Sequence, residues 1–142
     1  MKTERKIRKS VIVWLAILLV MLGFESYAQS NLVISGGVAT VTATNTGSVA
    51  TEDVVQLYMK DNKSTHAVRN HRLCGFQRVN LAAGESTTVD IAIDKTAFDV
   101  VDDEGNRFID SDHFTLYAGV CQPDELSQQL SNTECVSVEI NL

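Results

Sequence analysis

From about residue 39 onward, apolar and polar residues alternate one for one, and that period of two commits the chain to strands rather than helices. In Ala39-Thr40-Val41-Thr42-Ala43-Thr44 one face is aliphatic and the other carries three threonines. Val54 to Met59 reads as a central strand with Val55, Leu57 and Met59 inward. Leu73 to Leu81 reads as a strand interrupted by Gly75, where a glycine implies a bulge or a close backbone approach. Alternation places Phe76 and Phe114 toward the core. Val89, Ile91 and Ile93, then Phe108 and Ile109, then Phe114, Leu116 and Ala118, then Val136, Val138 and Ile140 complete the set. Turns are expected at Asn45-Thr46-Gly47-Ser48, Ala82-Ala83-Gly84-Glu85 and Asp102 to Asn106. One dry and one wet face per strand is the antiparallel case, and about seven short strands with turns between them predict an all-β antiparallel sandwich. The stretch Pro123 to Leu130 is expected to be a loop with a short helical turn, since proline starts helices and Leu126 and Leu130 are four apart.

The first residues follow a different logic. Lys2, Arg5, Lys6, Arg8 and Lys9 precede an apolar run from Val11 to Phe24, and Ser26-Tyr27-Ala28 puts small residues at the −3 and −1 positions of a cleavage site. This is the order of a secretory signal peptide, and the run is short for a retained membrane anchor. The expected organisation is therefore a signal peptide over 1–28 and one domain over 29–142, exported to the periplasm or the extracellular space. Removing the first 28 residues leaves seven Lys and Arg against sixteen Asp and Glu, a charge of about −9. Such a domain repels nucleic acid and anionic membrane surfaces.

The segments VTATNTGSVATEDVVQLYMKD, LCGFQRVNLAAGESTTVDIAI and FTLYAG stand in this order along the chain. Together they resemble the immunoglobulin-like, fibronectin type III-like domain at the C-terminus of family 3 glycoside hydrolases, the β-glucosidases and β-xylosidases. The family-motif positions are Asn45, Gly47, Gly75, Phe76, Arg78, Gly84 and Glu85. The sequence departs from the family pattern at Cys74, where a lysine is usual, at Ala83, where a turn proline is usual, and at Ser111-Asp112, where proline and glycine are usual. It also carries a longer loop from Cys121 to Cys135, and its signal peptide stands where the family has large catalytic domains.

Glycosidase chemistry requires two positioned carboxyl groups, and family 3 enzymes draw theirs from those other domains. No pair among the sixteen acids is singled out by spacing. Asp102, Asp103 and Glu104 read as a solvated turn rather than a calcium loop. His66, His71 and His113 lack zinc-ligand spacing, as do the cysteines. Cys74 and His71 are three apart in an extended segment and point to opposite faces, so Cys74 reads as a small packed thiol. No catalytic residue, metal or cofactor is expected. Cys121 and Cys135 end one expected strand and begin the next, so a disulfide closing the 13-residue loop between them is the expected pairing, with three free thiols as the alternative. Tyr58 and Tyr117 are expected on an outer face, as cross-strand packing partners in preference to a sugar platform. Asn62-Lys63-Ser64 matches a glycosylation sequon.

The expected function is that of a secreted, non-catalytic accessory domain, a structural or protein-interaction module linked to carbohydrate degradation. Its expected partner is a separately encoded glycoside hydrolase or a glycan. The alternatives are a carbohydrate-binding module and the remnant of a β-glucosidase-like enzyme.

Overall fold

The computed structural model describes residues 32–35 and 37–142; the expected signal peptide lies outside the described residues. Among the described residues, nine strands form two main sheets and a short ribbon. The first sheet has the order β1-β2-β5, from Leu32–Ser35, Val38–Thr44 and Ser86–Ala92. The second has the order β4-β3-β8-β9, from Arg72–Leu81, Thr51–Asp61, His113–Gly119 and Val136–Asn141. The ribbon pairs β6 (Val100–Val101) with β7 (Arg107–Phe108). Pairing in the ladders is antiparallel throughout. The sequence anticipated seven of these strands. It missed β1 and the two-residue β6, whose short apolar stretches carry little alternation.

The two sheets face each other across one aliphatic core. Ala39, Val41, Ala43 and Ile91 come from the first sheet, and Val55, Leu57, Met59, Val79, Leu81, Phe114, Leu116 and Ala118 from the second. Phe114, at 1% exposure, lies inward as expected, and its ring meets Phe98 edge-on at 5.1 Å. Phe98 belongs to a single 3-10 turn, Lys95–Phe98, begun by the Asp94 carboxylate accepting from the Thr96 backbone N–H. The guanidinium of Arg72 ties that turn to the edge of the second sheet through the carbonyls of Thr96, Ala97 and Asp99.

On the outer face of the first sheet the alternating hydroxyls pair across strands. Thr40 Oγ1 donates to Asp90 at 2.6 Å, and the Thr42–Thr88 and Thr44–Ser86 hydroxyls lie 3.1 and 2.7 Å apart. These are directly opposed register partners, the unit from which sheets draw side-chain stabilisation.

The loop between β8 and β9 contains one short helix, α1 (Glu125–Ser131). Asp124 caps it, accepting from the Ser127 backbone N–H at 2.9 Å and from its hydroxyl at 2.6 Å. Pro123 therefore stands just before the cap rather than inside the first turn. Asn132, in the left-handed region at φ 51°, ends the helix.

Candidate functional site

The second sheet has an outer face unlike that of the first. The β3–β4 register runs from Thr51↔Leu81 to Leu57↔Gly75, then shifts so that Tyr58 faces Leu73, leaving Cys74 as the extra residue of a bulge. Gly75 faces inward: a Cβ built on it would lie 2.8 Å from Ile91 Cγ2. That close approach fixes the parity of the strand. Its neighbour Phe76 must point outward, opposite Gln56, and is 66% exposed. The inward placement expected for Phe76 is thus corrected, because the glycine and not the phenylalanine occupies the core position. Leu73, 49% exposed, shares this face.

Beside this pair the face is aromatic. Tyr58 and Tyr117 are direct register partners, both half-buried. The His71 ring stands edge-on to Tyr117 at 4.8 Å, and Tyr58 donates its hydroxyl to Gln56 at 2.7 Å. Burial, with the acidic Cys121, Cys135 and Asp124 nearby, pushes the Tyr58 hydroxyl above its ordinary value. Burial, assisted by Lys60, pushes His71 below its own. The tyrosines pack on each other's strands as expected and leave Phe76 and Leu73 as the accessible apolar groups. Segment 51–81 holds Lys60, Lys63, Arg69, Arg72 and Arg78, five of the seven basic residues after position 28, but only three of the sixteen acids. Arg78, two residues along β4 from Phe76, is 3.9 Å from Glu52 and largely exposed.

The other family-motif residues hold turns. Asn45 is 8% exposed, and its amide donates to the carbonyls of Val49, Leu81 and Ala82 at 2.8, 3.1 and 3.0 Å while accepting from Gly47 N–H at 2.9 Å. This clasp joins the β2–β3 turn to the β4–β5 turn. Gly84 adopts φ 72° in the second turn, and Glu85 accepts from Ala82 N–H at 2.7 Å. Asp102 is occupied likewise: its carboxylate accepts from the Glu104 and Asn106 backbone and from the Asn106 side chain. In the sequon, Asn62 donates to Thr115 at 2.8 Å and Ser64 to Asp110 at 2.7 Å.

All three cysteines are free thiols in this structure. Cys74 donates to the Leu57 carbonyl at 3.5 Å, and burial pushes it up to about 11; His71 turns away toward Tyr117. Cys121 and Cys135 are near neighbours without being opposite. The ladder pairing Ala118↔Val136 projects Gly119 onto Cys135 and Cys121 onto Thr133. Cys121 Sγ accordingly lies 3.6 Å from Thr133 Oγ1, and Cys135 Sγ donates to the Cys121 carbonyl at 3.4 Å. The structure holds the two as separate thiols, their positions offset by two residues along the ladder.

A cavity of about 320 Å³ opens at the end of the sandwich nearest this loop. Its floor is Ala43, Val55, Val79 and Leu81, and its rim includes Asp53 and Asn132.

The three-plus-four strand order, the single inter-sheet core and the clasped turns define an immunoglobulin-like sandwich of fibronectin type III-like kind. Residues 53–120 match the fibronectin type III-like domain family. The chain's relatives are glycosidases, a GH3 β-glucosidase among them, and the likeness is to a short part of each. The chain is 35% identical over 86 residues, 60% of its length, to an exo-α-(1->6)-L-arabinopyranosidase of Bifidobacterium longum. It is 44% identical over 54 residues, 38% of its length, to thermostable β-glucosidase B of Acetivibrio thermocellus. It superposes on the GH3 β-glucosidase of Bifidobacterium adolescentis with a TM-score of 0.63 and 27% identity over 84% of its length. The chain spans only 11% and 7% of the two curated relatives and 18% of the solved chain.

Proposed function

We propose that this protein is an exported, non-catalytic accessory module that docks onto the catalytic part of a family 3 glycoside hydrolase. The observation that carries the reading is the exposed Leu73–Phe76 pair on the outer face of the second sheet, on the segment 51–81 that holds five of the seven basic residues after position 28. An exposed phenylalanine beside a leucine, with arginine at the margin, has the composition of an interface centre. Exposed Arg78, two residues from Phe76, favours an acidic group on the partner surface. The relatives support the glycosidase as occupant, since in them the matching region is a small part of a much longer hydrolase.

Size-exclusion chromatography of the full chain mixed with intact family 3 glycosidases of its own organism tests this. A complex is expected that Phe76→Ser abolishes. Absence of any complex, or a complex indifferent to Phe76→Ser, overturns the docking reading. Export through cleavage after Ala28 is tested by the N-terminus of the secreted protein, expected at Gln29.

A carbohydrate-binding role is the second reading, favoured by the end cavity, whose aliphatic floor and polar rim suit a sugar ring. Affinity electrophoresis in cellulose and xylan separates the two. Retardation that Asp53→Ala removes, with no complex in the chromatography, replaces the first reading by the second.

A further inference from the structure

We infer that Cys121 and Cys135 form a thiol pair built to be joined by thiol–disulfide exchange, and that the joined state clamps the loop carrying α1. The two cysteines flank that loop, Cys121 two residues past the end of β8 and Cys135 immediately before β9. Both therefore lie outside the hydrogen-bonded ladder, on backbone that can adjust across the two-residue offset without unpairing a strand.

Three features of the site favour joining. Position 119, which faces Cys135, is glycine, and a Cβ there would lie 2.6 Å from Cys135 Sγ. The missing side chain is what lets that sulfur lie over the strand end against the Cys121 carbonyl. The Cys135 backbone N–H is held by the Gln128 side chain of α1 at 2.8 Å, so the helix itself positions the thiol. Cys74 belongs to the bulge of β4 and donates to Leu57 on the far side of β3 from β8, which removes it from competition.

The chemistry balances with a glutathione-type disulfide as oxidant. Burial, followed by the charge of Cys121, holds the Cys135 thiol up at about 12, so Cys121 opens the exchange. Its thiolate attacks one sulfur of the oxidant, the oxidant's S–S bond breaks, and one glutathione thiolate leaves. Capping turns Cys121 Sγ into one sulfur of a mixed disulfide beside Cys135. The Cys135 thiolate then attacks Cys121 Sγ and expels the second glutathione thiolate. The protein loses two protons and two electrons, and one oxidised glutathione becomes two reduced ones. Because Ser131, Asn132 and Thr133 of the same loop form part of the end cavity, the clamp fixes one of its walls.

The test equilibrates the full chain in glutathione buffers of increasing oxidation, followed by acid quench, alkylation and unreduced peptide mass spectrometry. The expected product is a monomer two hydrogen atoms lighter, linked Cys121–Cys135, with slowed hydrogen exchange over residues 125–131. Cys74→Ser is expected to leave this unchanged. Cys121→Ser should leave Cys135 thiol or a glutathione adduct but no internal link, and Gly119→Ala should shift formation to more oxidising buffer. A link through Cys74, disulfide-joined dimers as the main product, or a stable glutathione adduct in the unmutated chain would each overturn the inference.

Discussion

Asn45 concentrates more of the fold in one side chain than any other buried polar residue described here. Its amide serves three carbonyls from two turns, and its oxygen serves a fourth group. Truncation removes the side-chain donor to the buried Leu81 carbonyl and the acceptor of the Gly47 N–H, so Asn45→Ala is expected to cost about 2–3 kcal/mol, read as a lowered urea midpoint at unchanged slope. Gly75→Ala forces a methyl against Ile91 and is expected to cost about 1–3 kcal/mol. Phe76→Ser, by contrast, is expected to move stability by no more than about 0.5 kcal/mol in the same titration, since the ring is mostly solvated. At this scale the sequence was informative about kinds of residue but not about parity. Gly75 was legible as a bulge or a close approach. Which of Gly75 and Phe76 turned inward was not, because one inserted residue reverses every assignment beyond it. The apolar rule then favoured the phenylalanine, while the space left by Ile91 admits only the glycine.

Among the elements, the central strands were the most legible, since Val55, Leu57 and Met59, or Phe114, Leu116 and Ala118, carry alternation strong enough to need no context. The β8–β9 loop was half legible. Its helix was anticipated from Leu126 and Leu130, but both are exposed, at 64% and 79%, so their spacing was not the cause. The cause is local capping: Asp124 at the start and Asn132 in left-handed geometry at the end. Asp124→Ala is therefore expected to cost about 1 kcal/mol, seen as faster amide exchange confined to residues 125–131. The proximity of Cys121 and Cys135 was readable from the hairpin, but their offset was not, because it depends on the register Ala118↔Val136. Closing this 13-residue loop covalently is expected to raise stability by about 3 kcal/mol, measured as the difference in urea midpoint between oxidised and reduced protein.

The whole molecule answers to pH at both ends. Hydrogen bonds from Asn106, Thr96, Ser127 and Lys63 hold Asp102, Asp94, Asp124 and Asp112 below their ordinary value of 3.8. Burial opposes ionisation of Asp61, yet the Ser64 and Lys63 N–H groups outweigh it and lower that carboxyl too. A folded-state value below the unfolded one adds stability that is present above about pH 3.8 and is lost as pH falls through the lowered values. At the other limit, burial raises Cys74 and Cys135 from 9.0 to about 11 and about 12. Their contribution is intact below pH 9.0 and is lost as pH rises from there. Urea midpoints against pH are expected to give a plateau with both limbs, and Cys74→Ser is expected to shallow only the alkaline one.

The hydroxyl ladder on the first sheet bears on what such a plateau-stable object is able to assemble. Thr40 donates to Asp90, and the Thr42–Thr88 and Thr44–Ser86 hydroxyls bond each other, so the β2–β5 part of that side offers a visitor little beyond a wetted, self-satisfied surface. On the docking reading proposed above, contact with the hydrolase falls to the opposite side. A body that docks through one side has a valency of one: it would cap a single partner and would not crosslink two into a network.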